Sequence, residues 1–177
     1  MSSRTALTTS INGVPYSFEV EPRLLLVDLI RDKAGLKGTH VGCDTGNCGA
    51  CTVIMNGLTV KSCQVLAPRA DAAEIHTVEG LATEGTLHPV QEAFWECDGL
   101  ECGFCTPGML MTTVAFLGEN PDPSDAEIRR AYSGNLCRCT GYLNIIKAVK
   151  RAAEMIRERD SVSGVRPSGP DCGPGKL

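Results

Sequence analysis

Eight of the ten cysteines in this 177-residue chain fall into two groups of four, and that distribution constrains the fold more than any other feature. The first group runs Cys43-x4-Cys48-x2-Cys51, with Cys63 after eleven intervening residues. The second joins Cys102-x2-Cys105 to Cys137-x-Cys139 across thirty-one. Cys97 and Cys172 stand outside both. Clustered cysteines form disulfides in oxidising compartments and hold metal in reducing ones. Met1–Thr9 carries neither a secretory nor a twin-arginine pattern, so the expectation is metal in a cytoplasmic protein. With 17 Lys and Arg against 21 Asp and Glu, the chain is mildly acidic, which argues against nucleic-acid binding. No apolar run reaches the roughly 18 residues of a membrane span.

The spacing of the first group is that of plant-type [2Fe–2S] ferredoxins. Its loop, Gly42-Cys43-Asp44-Thr45-Gly46-Asn47-Cys48-Gly49-Ala50-Cys51, suits that chemistry. A short loop must wrap a compact inorganic core, and small residues leave backbone N–H groups free to point at the sulfurs. The second group is open to more readings. Its two pairs fit a cluster, a four-thiolate zinc site or a Cys102/Cys105 redox dithiol, although Cys137-Arg138-Cys139 is tight for zinc.

Hydrophobic patterning splits the chain. Residues 5–20 read as a hairpin around Asn12-Gly13, and residues 51–63 as a second around Asn56-Gly57, with Cys63 ending its return strand. Leu24–Ala34 reads as a helix closed by Gly35, and Glu74–Val78 as a last short strand. The remainder is helical: His88–Cys97; a central apolar helix over Met109–Leu117, capped by Thr106 with Pro107 behind it; a helix opened by the Ser124–Glu127 capping box; and Tyr142–Glu158. The fold class expected is α+β, an N-terminal β-grasp domain (1–82) followed by a C-terminal four-helix bundle (83–160). The tail, 161–177, has ten Gly, Pro or Ser among its seventeen residues and is expected to be mobile.

Single residues read more plainly. Cys97 falls on an apolar helix face as a core thiol, and Met109 and Met111 as core. Phe94 and Trp95 read as packing or interface residues. His40 reads as a packed or surface imidazole before a cluster tuner, whereas Arg138 divides between tuning a cluster and a surface salt bridge. There is no dinucleotide fingerprint or phosphate loop, and the three histidines form no pattern with carboxylates, so no catalytic residue is expected in this chain.

Three motifs together carry a family resemblance: the Gly42–Cys51 loop with Cys63, then Cys102-Gly103-Phe104-Cys105-Thr106-Pro107-Gly108-Met109, then Gly134-Asn135-Leu136-Cys137-Arg138-Cys139-Thr140-Gly141-Tyr142. Over about residues 6–157 the chain resembles the iron–sulfur small subunit of xanthine oxidase family molybdenum hydroxylases, most of all the small chain of carbon monoxide dehydrogenase-type enzymes. The resemblance implies two [2Fe–2S] clusters, one on Cys43, Cys48, Cys51 and Cys63 and one on Cys102, Cys105, Cys137 and Cys139. It implies a large molybdopterin-binding subunit and a medium FAD-binding subunit, assembled as a dimer of heterotrimers. It also implies that the chain relays electrons from molybdenum to FAD while the complex oxidises carbon monoxide, an N-heterocycle or an aldehyde. Where the family has a Gln that reaches the pterin, this chain has Glu101, which accepts hydrogen bonds but donates none when ionised. The alternatives of another class are a free-standing two-cluster ferredoxin and a zinc-stapled interaction module.

Overall fold

The computed structural model describes residues 4–163. Two Asn-Gly turns build most of its sheet. Strands β1 (Thr5–Ile11) and β2 (Val14–Val20) pair antiparallel from Thr5↔Val20 to Ile11↔Val14. Strands β3 (Thr52–Met55) and β4 (Leu58–Lys61) do the same. Asn12 and Asn56 adopt φ of 53° and 50°, and Gly13 and Gly57 follow at 78° and 81°, the left-handed pair that a two-residue hairpin requires. Strand β5 (Glu74–His76) runs parallel to β1 and antiparallel to β3, which gives the order β2-β1-β5-β3-β4.

In the sheet half, three expected boundaries shift, each for a local reason. Strand β5 stops at His76 rather than Val78. The side chain of Asn12 accepts from the Thr77 amide (2.8 Å) and donates to the Thr77 hydroxyl (2.9 Å), and Val78–Gly80 turns away. Strand β4 stops at Lys61, so Cys63 lies not in a strand but in a 3-10 turn over Ser62–Gln64. The Ser62 amide and hydroxyl both donate to the Cys51 carbonyl, which turns the chain back toward Cys51. The helix expected over Leu24–Ala34 begins only at Leu26. Leu24 and Leu25 are extended and pair with the Val65–Ala67 segment. The helix α1 (Leu26–Asp28) then passes into a π-helical turn, Leu29–Lys33, in which the Ala34 amide bonds to the Leu29 carbonyl. Gly35, at φ 78°, ends it as expected.

Four longer helices follow: α2 (Pro89–Glu96), α3 (Thr106–Glu119), α4 (Asp125–Ala131) and α5 (Leu143–Ser163). Met109 and Met111 of α3 are fully buried with Phe94, Ile128, Ile145 and Val149 from the other three. The expected stripe of α5 is buried, apart from Ile156, which is partly so. Helix α5 continues through Ser163, three residues into the segment read as tail. Cys172 and the rest of that tail lie outside the described residues. Cys97, expected as a core thiol, closes α2 and is only partly buried, and Trp95 beside buried Phe94 is 74% exposed.

The sheet and the helices have separate cores that meet on β3. Val53 packs with Leu7, Ile11, Leu26, Leu29 and Ile75 beneath α1. Its neighbour Ile54 points the other way and is buried among the helices, together with Leu81. Successive side chains on a strand face opposite sides, so one strand serves both cores.

His88 caps α2 through its ring, with Nδ1 accepting from the Val90 amide at 3.2 Å. The Gln91 side chain accepts from the His88 amide at 3.0 Å and completes a capping box. Burial, and then the charge of Arg159, lower the imidazole from 6.5 to about 4. A ring kept neutral by the fold contributes stability fully above pH 6.5, and that contribution is lost as pH falls from 6.5 through about 4. His88→Asn keeps an acceptor that does not titrate. The variant is therefore expected to lose less protection of the α2 amides between pH 7 and pH 4 than the parent does, as read by hydrogen exchange. Equal loss in both would contradict the cap.

Candidate metal centre

The loop before β3 carries Cys43, Cys48 and Cys51, and the turn after β4 brings Cys63 back to them, so the first four thiols stand in two pairs. Cys43 neighbours Cys48, whose amide donates to its sulfur, and Cys51 packs with Cys63, each pair close enough to shift a thiol's ionisation. The pairs sit in different surroundings. Cys51 and Cys63 are 2% and 3% exposed and pack with Val27, whereas Cys43 and Cys48 are partly exposed. Burial pushes the Cys51 thiol up to about 11. Cys43 goes the other way, to about 6, because Thr45 and the amide of Cys48 hydrogen bond to its sulfur. The amides of Cys48 and Thr45 lie 3.3 and 3.5 Å from Cys43 Sγ. Gln64 ties the turn around Cys63 to this loop, reaching the Asp44 carbonyl at 3.2 Å.

The second four thiols also pair. Cys139 Sγ lies 3.5 Å from Cys102 Sγ, both exposed, and Cys105 and Cys137 shift each other's ionisation, both packed against the helical core. Burial and the neighbouring Cys137 push Cys105 up to about 12. Burial also opposes ionisation of Cys137, but the Thr140 hydroxyl and amide and the Cys139 amide outweigh it, and its net shift is down. Tyr142 holds the loop shut: its hydroxyl accepts from the Cys137 amide at 2.8 Å and donates to the Asn135 carbonyl at 3.4 Å. Tyr142 is not the first helical residue expected. It is a turn residue at φ 68°, and α5 starts after it.

Helix α3 begins differently from the sequence reading. Cys105 occupies the cap position, Thr106 and Pro107 are the first two helical residues, and Thr106 does not cap. Its hydroxyl is buried and has no hydrogen-bond partner among the described residues. Glu101 and Arg138 are exposed beside the second site, and Arg138 makes no ion pair with the described residues. His40 is a packed imidazole, stacked on Phe104 at 4.8 Å with Nδ1 2.8 Å from the Phe104 carbonyl.

That His40 contact is one of several between the two sites. The Leu136 amide donates to the Cys48 carbonyl at 2.8 Å. Asn135, 3% exposed, donates to the Gly49 carbonyl at 3.3 Å and accepts from the Thr112 hydroxyl at 3.1 Å. The contact demands glycine on both sides. A Cβ on Gly49 would stand 2.3 Å from the Gly134 carbonyl oxygen, and one on Gly108 would stand 2.1 Å from the Gly49 carbonyl oxygen. Asn135, Thr112, Tyr142 and Phe104 were all inside or beside the cysteine motifs, yet spacing alone assigns them no role.

Among the described residues, no three thiol, imidazole or carboxylate groups converge as a single-ion site requires. The donors approach two by two, and a [2Fe–2S] rhomb takes two thiolates at each of its irons. The unpartnered Thr106 hydroxyl beside Cys105 and the amides aimed at Cys43 and Cys137 supply the donors that sulfur-rich clusters accept. The residues therefore fit such a group at both sites.

Gly108→Ala forces backbone against backbone where α3 meets the first loop. We expect a loss of about 1–3 kcal/mol in stability, as for overpacked core positions, read as a lower urea midpoint. An unchanged midpoint would contradict this contact.

Comparison with known proteins agrees with this geometry. Residues 9–82 match the 2Fe-2S iron-sulfur cluster binding domain family, and residues 77–150 match the [2Fe-2S] binding domain family. The chain is 50% identical over 143 residues to the 6-hydroxypseudooxynicotine dehydrogenase complex subunit beta of Paenarthrobacter nicotinovorans, covering 80% of this chain and 89% of that one. It is 47% identical over 152 residues to the nicotinate dehydrogenase small FeS subunit of Eubacterium barkeri, covering 86% and 97%. The crystal structure of quinoline 2-oxidoreductase from Pseudomonas putida 86 superposes with a TM-score of 0.85 at 46% identity, covering 89% of this chain and 98% of that one.

Proposed function

The chain belongs to the iron–sulfur small subunits of the xanthine oxidase family of molybdenum hydroxylases, and we propose that it is the electron relay of a complex that hydroxylates an N-heterocycle. It carries two [2Fe–2S] clusters, which supply one-electron carriers between the molybdenum centre and the flavin of the complex. The observation that carries the reading is the pairing of eight thiols at two sites that a backbone hydrogen bond joins.

In this reading Cys43, Cys48, Cys51 and Cys63 ligate the first cluster, and Cys102, Cys105, Cys137 and Cys139 the second. The protein's own work is to fix and poise them. Amides and hydroxyls aimed at Cys43 and Cys137 favour their thiolates, and the packed pairs Cys51/Cys63 and Cys105/Cys137 keep water from one side of each site. The division into a β-grasp domain over 1–82 and a four-helix bundle over 83–160 is part of the same reading, supported by the two separate cores and the two family matches.

The chain works within a multi-subunit molybdenum hydroxylase complex. The partners we assign are a large molybdopterin-binding subunit and a medium FAD-binding subunit, in a cytoplasmic dimer of heterotrimers. Phe104 (49% exposed), Leu136 (55%) and Leu143 (64%) lie within four residues of the exposed Cys102 or Cys139 in the chain, apolar exposure that suits docking of the large subunit there. Glu101, exposed and next to Cys102 in the chain, would as a carboxylate accept hydrogen bonds from pterin N–H groups without donating any. No helix is long and apolar enough to cross a membrane among the described residues. An N-heterocyclic substrate is supported by relatives named for nicotinate, a nicotine derivative and quinoline. The carbon monoxide dehydrogenase-type likeness is compatible with them without being singled out by them.

Native purification tests the assignment. The chain is expected to co-elute with a molybdenum-containing chain and a flavin-containing chain, and to show two distinct [2Fe–2S] electron paramagnetic resonance signals after dithionite. Elution alone, with both signals intact, would make it a free carrier; zinc in place of iron would reject the clusters. Cys137→Ser is expected to remove or alter one signal and to lower the melting temperature, because that site ties α3 to the loop before α5.

A further inference from the structure

Lys61, at the end of β4, is half-buried, and no carboxylate pairs with it among the described residues. Its ammonium donates to the Thr52 hydroxyl at 2.9 Å and reaches Asn135 Oδ1 at 3.5 Å. Both partners are themselves anchored on one atom: the Thr52 hydroxyl donates to the Gly49 carbonyl at 2.7 Å, and Asn135 Nδ2 donates to it at 3.3 Å. The cation is thus held by neutral groups, against the backbone of the first cysteine loop. Lys61 faces Thr52 across the β3–β4 ladder, so its ammonium sits beside the residue that follows Cys51, and the chain reaches Cys63 two residues after Lys61. Burial lowers its pKa, and the first-group sulfurs act to raise it.

A desolvated cation needs a compensating charge. Four thiolates on a [2Fe–2S] core supply it, since that assembly is net negative and becomes more so on reduction. We propose that Lys61 is the fixed counter-charge of the first cluster, and that its ammonium, pinned between Thr52 and Asn135, holds that cluster's reduction potential up. A nearby positive charge stabilises the more negative, reduced form, so its removal lowers the potential. Asn135 is a positioning residue here. It lies two residues before Cys137, so the loop of the second site sets where the charge of the first site sits.

The inference depends on the ligand assignment proposed above, and one experiment separates the two. The intact complex is purified with Lys61→Met, Lys61→Gln or Lys61→Arg and titrated redox-potentiometrically by electron paramagnetic resonance. The first cluster's signal is identified as the one that Cys63→Ser changes. At fixed potential, Lys61→Met and Lys61→Gln are expected to lower the reduced-to-oxidised ratio of that signal about tenfold, which is 59 mV for a one-electron couple. Lys61→Arg keeps the charge and is expected to stay within about threefold of the parent on the same scale, and the second signal is expected to move less than the first. The proposal is overturned if Lys61→Gln titrates with the parent, or if Lys61→Arg is displaced as far as Lys61→Gln. Should Lys61→Met fail to assemble the cluster, the Gln and Arg pair decides by the same criterion. A parent complex without [2Fe–2S] signals would remove the ligand assignment itself, and this inference with it.

Discussion

The hydrogen bond from the Leu136 amide to the Cys48 carbonyl, between residues 88 apart in sequence, ties the two sites together at the backbone. Such a bond contributes only about 0.5–1.5 kcal/mol net. Its weight is geometric. It joins a residue flanking Cys137 directly to the backbone of Cys48, and it forms only because glycine at 49 and 108 lets three backbone segments touch. Asn135 then bonds Gly49, Thr112 and Lys61 with a single amide. The sites are therefore held by shared backbone, which does not rearrange as exposed side chains do.

Much of this was readable beforehand because the sequence signals were local. Asn-Gly pairs dictated both hairpins, the Ser124–Glu127 box opened α4, and the apolar run over Met109–Leu117 marked the helix between the two halves. Cysteine spacing assigned the eight thiols to two groups, and the structure brings each group together in pairs. What spacing could not reveal were contacts between distant segments. The extended pairing of Leu24 and Leu25 with Val65–Ala67 delays α1, and nothing in its apolar periodicity signals that. Thr106 has the chemistry of a helix cap, yet Cys105 takes that place because its thiol must face Cys137. Lys61 reads as an ordinary strand-end lysine until Asn135 is seen beside it.

The two sites share an electrostatic design. In each, one thiol pair is packed against apolar side chains and the other is more open to solvent. Burial disfavours a bare thiolate, so the inner pairs need metal or hydrogen-bond donors to stay ionised, and Cys51 and Cys105 show the cost in their raised values. The outer pairs are where another molecule can come near. From within, the ammonium at the end of β4 sets a positive charge against this arrangement.

Strand β3 has a consequence for how the chain comes apart. Because Val53 and Ile54 commit adjacent side chains to opposite interiors, a cut near residue 82 would leave each fragment with an oily scar: Ile54 stripped of its helices on one side, and the helices stripped of Ile54 on the other. Two modules that look separable on a sequence map are in mechanical terms a laminate, glued along one central ply.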